Sequence, residues 1–190
     1  NQDLFYKTGF DQTLYASVSD ATEKSSVFFS AERTENEGIF KETGGYERYG
    51  IRLNADYKIN DWIKFRTSNN YIRSNNETPG GTLDGVLFNL VLQDPDVNIN
   101  AVNPDGQPYY FVPNPWAPTV ENPLYDISNN REIAKRYRFL GSYNLNFKFT
   151  DWLNLDAEYS FESTNYINDD FEQKSTYVTN AAAAEGFAYG

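Results

Sequence analysis

Asp156, Glu158 and Glu162 fall at even spacing, the residue type and pattern of a carboxylate set that could protonate and attack a glycosidic bond. The plainer reading, in which each carboxylate is simply solvated on a wet face, is preferred. Asp94, Asp96 and Asp105 offer the hard oxygen ligands of calcium, but without EF-hand spacing, and Asx residues at loop turns explain them as well. No metal is assigned. Tyr109, Tyr110, Phe111 and Trp116 could stack on sugar rings or peptide side chains, since aromatics supply large contact area at low entropy cost. The same rings could instead pack a loop against its neighbours; they are the candidate substrate- or partner-contact residues. The chain has no Cys and no His, which removes disulfides, thiolate nucleophiles, Cys/His zinc sites and imidazole acid–base chemistry together. Gly44-Gly45 and Gly80-Gly81 are read as flexible loop glycines, since they lack phosphate-loop or dinucleotide spacing. No cofactor and no catalytic residue are expected, so the chain is not read as an enzyme.

The elements that hold these residues follow from composition and period. Hydrophobic residues are only 39% of 190, yet aromatics reach 17%, with 15 Tyr and 14 Phe. That is too little aliphatic material for a thick dry interior and too many rings for disorder. The net charge of −11 disfavours nucleic acid as a partner. No run of about 20 apolar residues and no signal peptide are visible, although a membrane β-barrel would escape a hydropathy test. The missing initiator Met suggests a fragment or processed form.

From Arg48 to Ile59, odd positions read Tyr49, Ile51, Leu53, Ala55, Tyr57 and Ile59, and even positions are mainly polar or charged. This is a two-faced strand. Asn60-Asp61 turns the chain into a second strand from Ile63, with Phe65, Thr67, Asn69 and Tyr71 on one face. The design repeats 90 residues later: Tyr57-Lys58-Ile59-Asn60-Asp61-Trp62 matches Phe147-Lys148-Phe149-Thr150-Asp151-Trp152, between the runs Arg136–Phe149 and Leu153–Glu162. A less regular hairpin pairs Gln12–Ser19 with Ser25–Glu35 across Asp20–Lys24. Strands of roughly 12 residues reach about 40 Å, which tilt reduces to bilayer height. The connections Asn36–Tyr46, Asn75–Glu132 and after Tyr166 are expected to be long, the others tight. That asymmetry places short turns in the periplasm and long loops outside. Trp62 and Trp152 then sit where an aromatic girdle meets the inner headgroups. Within the longest loop, Leu83, Val86, Leu87, Leu90 and Val91 predict a helix over Leu83–Leu92, capped by Thr82 and stopped by Pro95; Phe88 and Leu92 widen its apolar face, which should be covered. By parity, Ile51, Leu53, Tyr143 and Leu145 share a lipid face, and Arg52, Asn54 and Asn144 face the lumen.

At these hairpins the chain resembles the SusC-like (starch-utilisation-system type) family of TonB-dependent outer-membrane transporters. The resemblance runs from about Phe5 to Asn165 through Thr8-Gly9-Phe10-Asp11-Gln12, Ser17-Val18-Ser19, Phe28-Phe29-Ser30, Asn36-Glu37-Gly38-Ile39-Phe40-Lys41, Glu47-Arg48-Tyr49-Gly50-Ile51-Arg52-Leu53-Asn54 and Lys58-Ile59-Asn60-Asp61-Trp62-Ile63-Lys64. Asn103-Pro104-Asp105-Gly106 and Asn122-Pro123-Leu124 match in outline. Asp20-Ala21 departs from the family's glycine-rich turn. The resemblance implies an all-β fold: an antiparallel transmembrane β-barrel segment, about six strands of about 22, with one long extracellular loop holding a short helix. Residues 1–190 would be a partial barrel domain just after the plug, with the plug and the remaining strands outside this sequence. It also implies a Gram-negative outer-membrane location, contact with outer-membrane lipid, a TonB complex acting through the plug, a SusD-like lipoprotein lid, and nutrient uptake of oligosaccharide or peptide. A soluble extracellular carbohydrate-binding β-protein, or a barrel serving as a passive channel or attachment protein, stays open.

Overall fold

The computed structural model describes residues 2–79, 83–104, 106, 108–114, 116–117 and 119–172. Thr82, the glycines 80–81, Asp105, Pro115, Pro118 and the segment Ala181–Ala184 lie outside the described residues.

Six antiparallel strands pair in chain order into one sheet: β1 (Asp11–Ala21), β2 (Ser25–Asn36), β3 (Gly45–Lys58), β4 (Ile63–Pro79), β5 (Asn130–Lys148) and β6 (Asn154–Glu172). Every neighbouring pair is consecutive, so the sheet is a plain meander, and the all-β reading holds. The register carries parity across the whole wall. Phe29 lies opposite Val18 and Leu53, Leu53 opposite Asn69, Asn69 opposite Gly141, and Gly141 opposite Phe161. One level nearer the tight turns, Ala55, Thr67, Tyr143 and Tyr159 follow one another in the same way. Ile51, Leu53, Tyr143 and Leu145 therefore do share a face, and Arg52, Asn54 and Asn144 occupy the other. The apolar face is continuous, and its side chains stand exposed within this chain, as Val18, Phe29, Leu53, Tyr57, Leu155 and Tyr159 illustrate.

Polar groups that fall on the apolar face are satisfied locally. The Tyr143 hydroxyl donates to Asn69 Oδ1 at 3.0 Å, and Asn69 Nδ2 donates to Thr67 Oγ1 at 2.8 Å. At Gly141 a side chain would meet the Phe161 ring at 2.9 Å, so cross-strand Phe161 and Phe139 of the same strand fill the space that glycine leaves. Beyond the apolar belt, toward the long connections, the same face turns charged. Arg33 stacks over Tyr49 and Arg73 over Tyr137, each 5.8 Å from the ring centroid.

The strands are longer than alternation marks them. β4 continues to Pro79, β5 begins at Asn130 and β6 reaches Glu172. The connection expected over Asn75–Glu132 shrinks accordingly, and the stretch after Tyr166 is still strand through Glu172. Polar residues occupy both faces there (Ser74, Asn75, Asn76, Glu77), which erases the hydropathy signal while the backbone ladder continues. Asp20 and Ala21 likewise belong to β1, so the first turn tightens to Thr22–Lys24, where Thr22 Oγ1 accepts from the Ser25 N–H at 3.0 Å. The two repeated turns close alike: Ile59 N–H donates to the Ile63 carbonyl and Phe149 N–H to that of Leu153, each at 3.0 Å.

Two further corrections concern glycine and the helix. Gly45 is no free loop residue: it starts β3 at φ 69°, where a Cβ would run into the Asn36 carbonyl. The helix α1 (Leu83–Val91) is present, but Phe88, Val91 and Leu92 are exposed, so the cover expected for its wider apolar face is not supplied within the described residues.

Candidate functional site

Residues between β4 and β5 fold into a small body with its own core. Val86 and Leu90 of α1 meet Val97, Ile99, Val112 and the residues Leu124 and Ile127 of α2 (Pro123–Asn129). Phe5, fully buried, completes the cluster. It arrives there because Lys7 N–H donates to the Ile39 carbonyl and Lys41 N–H to the Phe5 carbonyl, each at 2.8 Å. The chain start is thereby stitched onto the β2–β3 connection.

Asn122 is the hub of this body. Its side chain, 0% exposed, caps α2 by accepting from Leu124 N–H at 3.0 Å, while Nδ2 donates to the Ile99 carbonyl at 3.0 Å. Its own N–H donates to the Tyr110 carbonyl at 2.8 Å. One side chain and its backbone thus join three otherwise separate stretches. The Asn122-Pro123 pair, a cap followed by proline at the first helical position, is the signal by which α2 could have been read from the sequence.

The aromatic run divides. Tyr110 packs edge-on against Phe111 and Tyr125, with ring centroids 4.8 and 5.2 Å apart, and its hydroxyl donates to Glu121 at 3.0 Å. Phe111 bridges to Glu121 through its backbone, and Tyr109 is half-buried. Trp116 alone of the four stands out, 94% exposed. The structure thus does not bring the four rings onto one surface. Trp116 is instead grouped with Asp94 and Asp96, first read as turn formers, and with Asn98 and Asn114; together they line a hollow of about 410 Å³.

Asp156, Glu158 and Glu162 are taken up by the neighbouring strand. Asn146 donates to Asp156 at 2.8 Å, Ser142 to Glu158 at 3.0 Å and Arg138 to Glu162 at 2.7 Å. They form rungs of a polar face rather than a convergent pair. On that face a hollow of about 550 Å³ is lined by Arg52, Asn54, Ser68, Asn70, Ser142 and Glu162, among others. Trp62 and Trp152 lie just past the tight turns, both exposed, at the end of the sheet opposite the loop body. At those turns the Lys58 ammonium donates to Asp61 at 2.6 Å and Lys148 to Asp151 at 2.8 Å. These hydrogen bonds, reinforced by the ammonium charge, hold both carboxyls below the ordinary carboxylate range. Among the described residues no three His, Cys, Asp or Glu side chains converge on a metal position.

No protein-family model matches the chain. Over 134 residues it is 29% identical to the TonB-dependent receptor P26 of Formosa agariphila, an alignment that covers 69% of this chain and 12% of that protein. The similarity supports a relation to TonB-dependent receptors in general. It agrees with the sheet: a long-stranded antiparallel meander, apolar along one face, with its connections alternating between tight turns and a folded body.

Proposed function

We propose that this chain forms part of the wall and outer mouth of a SusC-like, TonB-dependent importer in a Gram-negative outer membrane. Its cargo would be oligosaccharides or peptides, admitted beneath a SusD-like surface lipoprotein. The observation that carries this reading is the apolar face, which runs in register through all six strands. A contiguous exposed apolar surface of that extent needs a non-aqueous partner, and lipid meets every strand at once. On β4 the apolar stretch Ile63–Tyr71 rises about 20 Å at a 40° tilt, close to the height of an outer-membrane apolar band.

In this reading the polar face of Arg52, Asn54, Ser142 and Glu162 lines the lumen, where a plug coupled to the TonB complex would sit. No bond of the cargo is made or broken, so the chain is a transporter component and not an enzyme. The strands pass well beyond the belt toward the loop body and lift it clear of the membrane, where cargo arrives. Trp116 remains the most available of the four rings for substrate or lid contact, and Tyr109, Tyr110 and Phe111 are each half-buried.

Topology is the direct test. This chain has no cysteine, so Thr119→Cys and Asp61→Cys each introduce one thiol into it. In intact cells an impermeant maleimide should label position 119 at once, and position 61 only after the outer membrane is breached. The reverse order would overturn the topology, and equal labelling of both would overturn the membrane wall. Uptake of labelled oligosaccharide and peptide mixtures that persists after TonB is deleted would overturn energised import.

A further inference from the structure

Residues 80–129 hold six acidic side chains, Asp84, Asp94, Asp96, Asp105, Glu121 and Asp126, and no Lys or Arg. All 16 basic residues lie elsewhere, so a charge of −6 out of −11 is gathered in the loop segment. Such a single-sign field raises the local concentration of cations and slows the approach of anions.

The hollow of about 410 Å³ lies on this segment and is lined by Asp94, Asp96, Asn98, Asn114 and Trp116 among others, with no basic residue. Asn114, only 6% exposed, holds two of these groups in place. Its Nδ2 donates to Asp94 Oδ2 at 3.1 Å, and its Oδ1 accepts the Trp116 N–H at 3.0 Å. Asn114 thereby ties the Asp94 carboxylate to the backbone that carries Trp116, whose indole is 94% exposed.

An indole and carboxylates lining one hollow offer the chemistry that receives an organic cation: the ring quadrupole attracts the charge and a carboxylate accepts its N–H groups. A neutral sugar could stack on the indole but would leave both carboxylate charges uncompensated. A divalent ion would gain nothing from the indole and finds no third acidic ligand among the described residues. We infer that this hollow is a subsite for the ammonium or guanidinium group of a basic peptide, with Trp116, Asp94 and Asp96 as contact residues and Asn114 as the positioning residue of Asp94 and Trp116. The inference rests on the importer reading for its cargo, and selects peptide over oligosaccharide at this subsite.

The test uses the full-length protein in detergent or nanodiscs, with binding followed by calorimetry. The probes are a short peptide with two arginines, the same peptide with glutamates in their place, and a neutral maltooligosaccharide. The basic peptide should bind at least about tenfold more tightly than the other two and weaken several-fold between 50 and 300 mM salt, as an ionic contact does. Trp116→Ala should weaken it by about 3- to 30-fold. Asp94→Asn and Asp96→Asn should each weaken it several-fold; both are nearly isosteric, so the body keeps its fold, checked by unchanged protease resistance. Oligosaccharide binding as tight as that of the basic peptide, or basic-peptide binding indifferent to the Asp94→Asn/Asp96→Asn pair, would overturn the subsite. Loss of a co-purifying lid protein in that pair, with peptide binding unchanged, would also overturn it and make the occupant a partner protein. Uptake of oligosaccharide without basic-peptide binding removes the subsite and leaves the importer; binding without any uptake removes the importer and leaves the subsite.

Discussion

In the strand wall, charges of both signs are interleaved and matched across strands: Arg33 lies between Glu35 and Glu47, Arg66 reaches Asp56, and Arg138 reaches Glu162. In the body between β4 and β5 there is no basic residue at all, and the dry core sits there rather than in the sheet. The wall buries little within the chain, and both of its faces stand open. The body buries Ile99, Val112 and Ile127, with Phe5 from the chain start completing the core. An open two-faced sheet and a unit with a dry core therefore follow one another in a single short chain, and they should fail separately when damaged.

The most severe way to break that division is a charge on the wrong face of the wall. Leu53→Arg should cost about 2–4 kcal/mol near the middle of the apolar band, whereas Asn54→Arg should cost close to nothing. Heat-modifiable mobility of the outer-membrane fraction reads this directly. Equal assembly of the two variants would tell against a lipid-facing wall.

A break confined to the body comes next. Asn122→Ala removes the α2 cap and the bond to Ile99, with an expected cost of about 1–3 kcal/mol. Limited proteolysis should then cut within residues 80–129 while the wall still assembles. Simultaneous loss of both would mean that the two regions fold as one. Smaller again is Tyr143→Phe, which removes the hydroxyl that satisfies Asn69 on the apolar face. About 0.5–1.5 kcal/mol should be lost, measured by urea unfolding in detergent.

The smallest effect belongs to the tight turns. Asp61 and Asp151 have carboxyl pKa values lowered by Lys58 and Lys148, so the unfolded chain binds more protons than the folded one as the pH falls through that range. Their contribution is complete above the ordinary carboxylate pKa and disappears as the pH drops through the lower folded values. Wild type and Asp61→Asn should therefore differ slightly in thermal stability at pH 7 and converge at pH 2. A difference that grew toward low pH would contradict the assignment.

Alternation made the wall legible wherever one face is apolar. From Arg48 to Ile59 and from Arg136 to Phe149, period two marks the strands, the repeated Asn60-Asp61 and Thr150-Asp151 turns, and the parity that carries through the sheet. Legibility ends where alternation fails, since Ser74–Glu77 is polar on both faces and Asn165–Glu172 scatters Tyr166, Ile167 and Phe171 among amides and carboxylates; only the backbone ladder with β5 shows that they are strand. In the loop body, α1 was legible from its apolar spacing. The grouping of Trp116 with Asp94 was not, because 21 residues lie between them and a buried amide at position 114 makes the connection.

The sequence by itself determined the all-β class, the two faces, the tight turns, α1 and the acidic character of residues 80–129, because each is a local or compositional property that neighbouring residues enforce without reference to distant ones. Only the tertiary structure decided that Phe5 completes the core of the loop body, that Asn122 joins three stretches, that Tyr110 packs against Phe111 and Tyr125, and that an exposed Trp116 lines one hollow with Asp94 and Asp96. Those outcomes depend on which distant groups satisfy one another's hydrogen bonds and exclude water together. No period or spacing along the chain encodes that choice.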